Sequence, residues 1–158
     1  MTAPSLVEFL LARIAEDEAW ADACEGLHWE WRGNELDDLV TPDPAIDEYI
    51  DGESVCSLRS VETFPYGSMS GEGPRFLIHS AEDTLATAAG HIARHDPARV
   101  LRECEAKRQI IADWASEKRD GPHHDSASIA VVFALRRVLR IMATEYADHP
   151  DYRYGWRP

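Results

Sequence analysis

The chain reads as an α+β protein, with about four helices packed with a small antiparallel β-sheet formed by the middle segment. Three observations carry this reading. Apolar residues recur at helical spacing before Cys24 and again after Ser80. Between Gly26 and Ser80 that period is lost and turn formers cluster at Gly33-Asn34, Pro42, Pro44, Asp51-Gly52 and Gly73-Pro74. Inside this region three short stretches have strand character. A length of 158 residues fits a single domain over 1–158, divided into a helix over 5–24, an acidic strand and loop segment over 26–80, a helical part over 81–146 and a tail over 147–158.

The first helix is announced by Ser5-Leu-Val-Glu8, a capping box in which the serine hydroxyl and the glutamate carboxylate each accept from a backbone N–H that the first turn leaves unpaired. Leu6, Phe9, Leu10 and Ile14 form its apolar stripe, and Glu16-Asp17-Glu18 reads as a solvated turn. The predicted strands are His28–Arg32, with Trp29 and Trp31 on one face, the β-branched Val55–Thr63, and Arg75–His79, where Phe76 and Ile78 share a face. Asp47–Tyr49 has the composition of a short helical turn. Ser80 and Asp83 resemble a capping box for a helix to about His95. Asp96 and Pro97 then read as the N-cap and first position of a helix reaching about Lys118, with Val100, Cys104, Lys107, Ile111 and Trp114 as its stripe and the Lys107 head sent to water. After the loop 120–125 a last helix runs to about Tyr146. Its broad buried face is expected to hold Ala127, Val131, Val132, Leu135, Val138, Leu139 and Met142, with Arg136, Arg137 and Arg140 pointing elsewhere. The aromatic tail, 148–158, is expected to fold back on the body.

Composition narrows the function classes. The net charge of −13 is unevenly spread: residues 1–90 carry 19 acids against four arginines, whereas residues 91–158 carry 12 bases against 10 acids. Such a field opposes direct DNA binding and favours a protein partner with a basic surface, the candidate acids being Glu16, Asp17, Glu18, Asp37, Asp38, Asp47 and Glu48. Solubility alone also explains an acidic surface. The start of the chain lacks the basic stretch of a secretory leader, and no apolar run approaches the ~20 residues that span a bilayer, so a cytoplasmic protein without membrane contact is expected. Cys24, Cys56 and Cys104 show neither an even count nor CxxC spacing, and read as reduced, small core residues.

The chemistry-bearing stretch is His91-Ile-Ala-Arg-His95-Asp96-Pro97. Side chains four apart lie ~40° apart on a helix, so neutral imidazoles of His91 and His95 can converge on zinc or another divalent metal. Two ligands are too few, and His149 with Asp151, or the loop residues His123 and His124, are the candidates to complete such a site. The general base of an H-E-x-x-H metalloprotease is absent from the pair. A helix-turn-helix reading draws on Arg99, Arg102, Lys107 and Arg108, but Glu103 and Glu105 alternate with these bases and Glu103 suits an i,i+4 pair with Lys107. A helix–helix corner accounts for every residue: His95 meets the last carbonyls of one helix, Asp96 caps the next, and Pro97 has no N–H to leave unpaired. Gly71-Glu-Gly73 lacks the rest of a phosphate loop, and no serine sits in a nucleophile-elbow context.

At HIARHDPARVLRECEAKRQI and YADHPDYRYGWRP the chain resembles an uncharacterised family of small proteins from actinobacteria and their phages. The resemblance covers 91–111 and 146–158 and extends to the first helix. It implies a compact helical core and brings no catalytic residues. The two stretches together suggest that the tail closes on the helix corner, so that His91 or His95 meets His149, Asp151 or Tyr152, as a polar clasp of His95, Asp96, Pro97, His149 and Tyr152 or as a metal cage. With no complete catalytic constellation in the chain, a non-enzymatic interaction protein is the expected function, and a metal-dependent hydrolase is the alternative. Homodimerisation through leftover apolar surface of the last helix stays open, although no sustained heptad pattern demands it.

Overall fold

The computed structural model describes residues 4–32, 57–65, 71–78, 86–120 and 126–158. Among them are four helices, α1 (Leu6–Ala23), α2 (Ala86–Arg94), α3 (Pro97–Asp120) and α4 (Ser126–Ala143), and three strands, β1 (Trp29–Arg32), β2 (Ser57–Pro65) and β3 (Glu72–Ile78). The strands form one antiparallel sheet in the order β1-β2-β3. The architecture is α+β, as the loss and return of helical periodicity predicts. The expected Asp47–Tyr49 turn, the Ser80–Asp83 cap, Cys56, and the acids Asp37, Asp38, Asp47 and Glu48 lie outside the described residues, as do His123 and His124.

The chain forms two compact units, one of residues 1–20 and 101–158, the other of residues 21–100. In the first, α1 starts where the capping box places it: Ser5 N–H donates to Glu8 Oε2 at 2.7 Å and Glu8 N–H donates to Ser5 Oγ at 3.3 Å. These bonds, from the Ser5 backbone first and its hydroxyl second, hold the Glu8 carboxyl below the usual range. Phe9, Leu10 and Ile14 on α1, Cys104 and Ile111 on α3, and Leu139, Met142 and Ala143 on α4 are all buried. Cys104 contacts the Ile14 carbonyl through Sγ at 3.9 Å, and burial pushes its thiol pKa up, as befits a core residue. Cys24 departs from that expectation: it is exposed, because it lies in the turn that ends α1.

That turn opens the second unit. Gly26 N–H donates to the Ala21 carbonyl at 3.1 Å and Glu25 N–H to the Asp22 carbonyl at 2.8 Å, the two bonds of a Schellman cap. The cap demands left-handed backbone, and Glu25 supplies it at φ 60° although it carries a Cβ. Its carboxylate is engaged by Arg75 of β3, whose guanidinium also covers the Phe64 ring at 4.0 Å. In the sheet, Trp31 pairs with Leu58 and Leu58 with Ile78, placing the buried Leu58 at the centre of three strands. β3 begins three residues earlier than the composition of its stretch suggests, since pairing rather than residue preference sets where a ladder ends.

The β2–β3 ladder slips between Arg59 and Thr63, which pair with Phe76 and Pro74 respectively. Three residues of β2, Ser60 to Glu62, thus oppose Arg75 alone, a bulge that costs ladder bonds. Ser60, 1% exposed, repairs it: its hydroxyl accepts from Arg75 N–H at 2.9 Å and donates to the Glu62 carbonyl at 2.7 Å. α2 packs on β1 in the same unit, with Ala89 fully buried.

Candidate functional site

The helix corner is built by reciprocal capping. α2 ends with His95 N–H shared between the His91 carbonyl at 3.2 Å and the Ile92 carbonyl at 3.1 Å, a bifurcated bond typical of a fraying last turn. Arg99 Nη1 donates to the Arg94 carbonyl at 3.1 Å, satisfying another end of α2 from the helix that follows. Asp96, buried, is the N-cap of α3: its Oδ1 accepts from Arg99 N–H at 2.6 Å, and its carbonyl accepts from Val100 N–H at 3.0 Å. Pro97 and Ala98 are buried beside it, and Ala98 N–H donates to the Leu27 carbonyl at 3.3 Å, which ties the corner to the approach to β1. The two imidazoles stand outside this arrangement, exposed, with ring centroids 4.4 Å apart. Among the described residues no group of three or more His, Cys, Asp or Glu side chains is arranged to hold a metal ion.

His149, Asp151 and Tyr152 belong to the other unit, where the tail closes on α1. Phe9, 2% exposed, is ringed by Tyr146, His149 and Tyr152 edge-on at 6.3, 5.6 and 6.2 Å, and by Trp156 tilted at 4.9 Å. His149 Nδ1 accepts from Asp151 N–H at 3.1 Å, which leaves the proton of a neutral ring on Nε2. The same nitrogen is 4.0 Å from the Asp151 carboxylate, too far for a hydrogen bond.

Of Glu16, Asp17 and Glu18, expected as a solvated turn, only Glu16 is exposed. Asp17 lies on the Leu10, Ile14 and Ala21 face of α1, three and four residues from its buried neighbours, and its Oδ2 accepts from Tyr146 Oη at 2.6 Å. Burial, reinforced by that carboxylate, pushes the Tyr146 phenol pKa far above its ordinary value. Glu18 takes a two-pronged bond from Arg108 of α3, with Nε at 2.6 Å, and this bond first of all lowers its carboxyl pKa. Glu16 pairs with Arg13 at 2.9 Å. Lys107, expected to reach water or Glu103, instead sends its ammonium to Glu145 and to Tyr146 Oη. Its position on the α3 stripe brings it under the 3₁₀ turn over Thr144–Tyr146, and a partner there replaces the solvation it loses.

α4 corrects the expected broad buried face. Leu139 and Met142 are buried with Ala143, whereas Val131, Val138 and Ile141 are 43%, 36% and 50% exposed, and Ala127 and Ala134 are exposed with them. These five residues follow spacings of four, three, four and three, which lines them along one side of the helix. Two heptads fall short of the sustained pattern that marks a coiled coil in a sequence. A second side carries Ile129, Phe133, Arg136 and Arg140, with Phe133 64% exposed. The arginines mark this second side in the sequence, but no local rule separates the strip from the buried side, because both are aliphatic.

Fold and surface together define an α+β protein with a capped helix corner, an aromatic tail clasp around Phe9, and a helix that leaves apolar and arginine-bearing sides uncovered. The model of a family of unknown function, DUF6221, matches residues 3–158, and the chain belongs to that family. No curated protein and no solved structure matches the chain.

Proposed function

We propose that the protein is a non-enzymatic interaction protein that lays the Ala127, Val131, Ala134, Val138 and Ile141 side of α4 against a helix of another protein. The observation that carries this reading is the exposure of that strip, an apolar line on a structured helix whose 4-3-4-3 spacing matches the grooves of a second helix crossing at about 20°. Alanines at 127 and 134 allow close backbone approach. Arg137 flanks the strip, and α4 contains no acid, so a partner helix with acidic flanks fits better than a second copy, which would add like charge.

A photo-crosslinking residue at Val138, with another at the exposed Gln109 as control, tests this in the native host. A discrete protein adduct from position 138 alone, lost when Ala134→Glu is added, is expected. Adducts that are the same from both positions end the docking reading, and an adduct with the mass of two copies assigns the strip to homodimerisation.

The preference for a basic partner surface belongs to a second contact. Glu16, Asp17 and Glu18 already have partners within the chain, which leaves Asp37, Asp38, Asp47 and Glu48 as the acids to carry it. The alternative of a metal-dependent hydrolase keeps only the 4.4 Å ring pair of His91 and His95, two ligands for zinc or another divalent cation.

A further inference from the structure

Several arginines described in this chain have partners within it. Arg13, Arg59, Arg75 and Arg108 engage Glu16, Glu30, Glu25 and Glu18, and Arg99 caps α2. Arg136, Arg137 and Arg140 differ. None is hydrogen-bonded or ion-paired to a described residue, and Arg140 Nε is buried without a partner. These three side chains, with Phe133 and Pro158, line a groove of about 380 Å³ in the first unit. The surrounding chain is free of acids: residues 126–144 and 152–158 contain five arginines and no Asp or Glu, in a protein of net charge −13.

Three guanidiniums within five residues of one helix repel one another, and an anion among them relieves that cost. Arginine forks match the oxygens of phosphate two at a time, and three of them suit a dianion better than a single carboxylate. Arg136 and Arg140 stand one turn apart on the same side of α4 as Phe133, whose exposed ring offers a flat apolar wall beside the charge. A volume near 380 Å³ suits a small molecule. The negative field of the whole chain works against a polyanion, whose charge extends beyond the groove into that field, more than against a compact ligand. We propose that this groove binds the phosphate group of a small ligand whose flat ring lies on Phe133. The docking strip faces another side of α4 and Arg137 borders both, so the replacements are made at Arg136 and Arg140, which lie away from the strip.

The test uses the full chain, with inorganic phosphate, adenosine, adenosine monophosphate and a short single-stranded oligonucleotide as probes at matched ionic strength, read by arginine Nε–H chemical shifts and calorimetry. Saturable binding of phosphate, and binding of the monophosphate at least about fivefold tighter, are expected. Arg136→Gln with Arg140→Gln should weaken both by about tenfold or more. Phe133→Ala should bring the monophosphate down to the affinity of phosphate. Phe133 and Arg136 are exposed, and unchanged circular dichroism verifies that the variants fold. Shifts that never saturate or that potassium chloride reproduces, binding untouched by the arginine replacements, or a monophosphate no tighter than phosphate would each overturn the assignment. An oligonucleotide bound more tightly than the monophosphate, with a steep salt dependence, would replace the small ligand by a nucleic acid.

Discussion

Replacing Ser60 by alanine removes one hydroxyl from the protein interior and should cost more than most single-atom deletions. The β2–β3 bulge leaves Arg75 N–H without a strand partner, and Ser60 Oγ accepts from it at 2.9 Å while donating to the Glu62 carbonyl at 2.7 Å. Ser60 is 1% exposed, so water has little access to the vacated position. A buried donor left unpaired costs about 1–3 kcal/mol, and a lost net hydrogen bond about 1 kcal/mol. The Arg75 amide is only partly buried, which favours the lower part of the combined range, about 2 kcal/mol. For a chain of this size that corresponds to a fall in Tm of roughly 4–8 °C. Urea denaturation followed by tryptophan fluorescence measures the stability, and amide exchange at Arg75 reads the site directly, with protection expected in the parent and lost in the variant. Thr63→Ala, exposed on the same strand, should change stability by less than about 0.5 kcal/mol. A Ser60→Ala variant within that same margin, with Arg75 still protected, would refute the role given to the hydroxyl.

Three further outcomes follow from the same geometry. Tyr146→Phe removes the donor to Asp17 and should destabilise by about 1.5–3 kcal/mol, the range for a hydrogen bond to a charged group; because the folded phenol pKa is raised, its contribution is complete below about pH 10 and is lost as pH rises through the folded value. Ultraviolet titration should find one tyrosine of the parent still protonated where the exposed ones ionise, and this late-titrating group should be missing in Tyr146→Phe. Gly90→Ala should stabilise by about 0.5–1 kcal/mol, since a Cβ there meets nothing within 4 Å and the residue is inside α2; a lower urea midpoint would show that the position needs glycine. Thermal unfolding of His149→Ala should be lowered equally with and without chelator, because its ring packs on Phe9; parent protein that carries stoichiometric zinc, and loses both zinc and stability in His91→Ala, would promote the metal reading.

Much of the fold is legible one segment at a time. The Ser5–Glu8 box, the Asp96-Pro97 start of α3 and the strands around Trp29 and Phe76 depend on interactions that span a few residues, and such interactions are written in local spacing. The partners of Asp17, Glu18 and Lys107 are not, because each lies 38 or more residues away. A signal for Asp17 was nonetheless present: it falls in step with Leu10, Ile14 and Ala21, and a carboxylate on a buried stripe requires a donor. Ser60 had no such signal, since a bulge arises from the register of two strands and neither strand encodes it alone.

Helix limits, strand character and the division of charge along the chain are properties of neighbouring residues, and they can be read without knowing where anything else lies. Which apolar residues of α4 enter the core, and which stay outside with Arg136, Arg137 and Arg140, is of another kind. Leu139 is fully buried and Val138 is not, although both are aliphatic neighbours, because burial depends on which side of the helix faces the rest of its unit. Only packing breaks that symmetry, and the surface it leaves uncovered is where the proposed function resides.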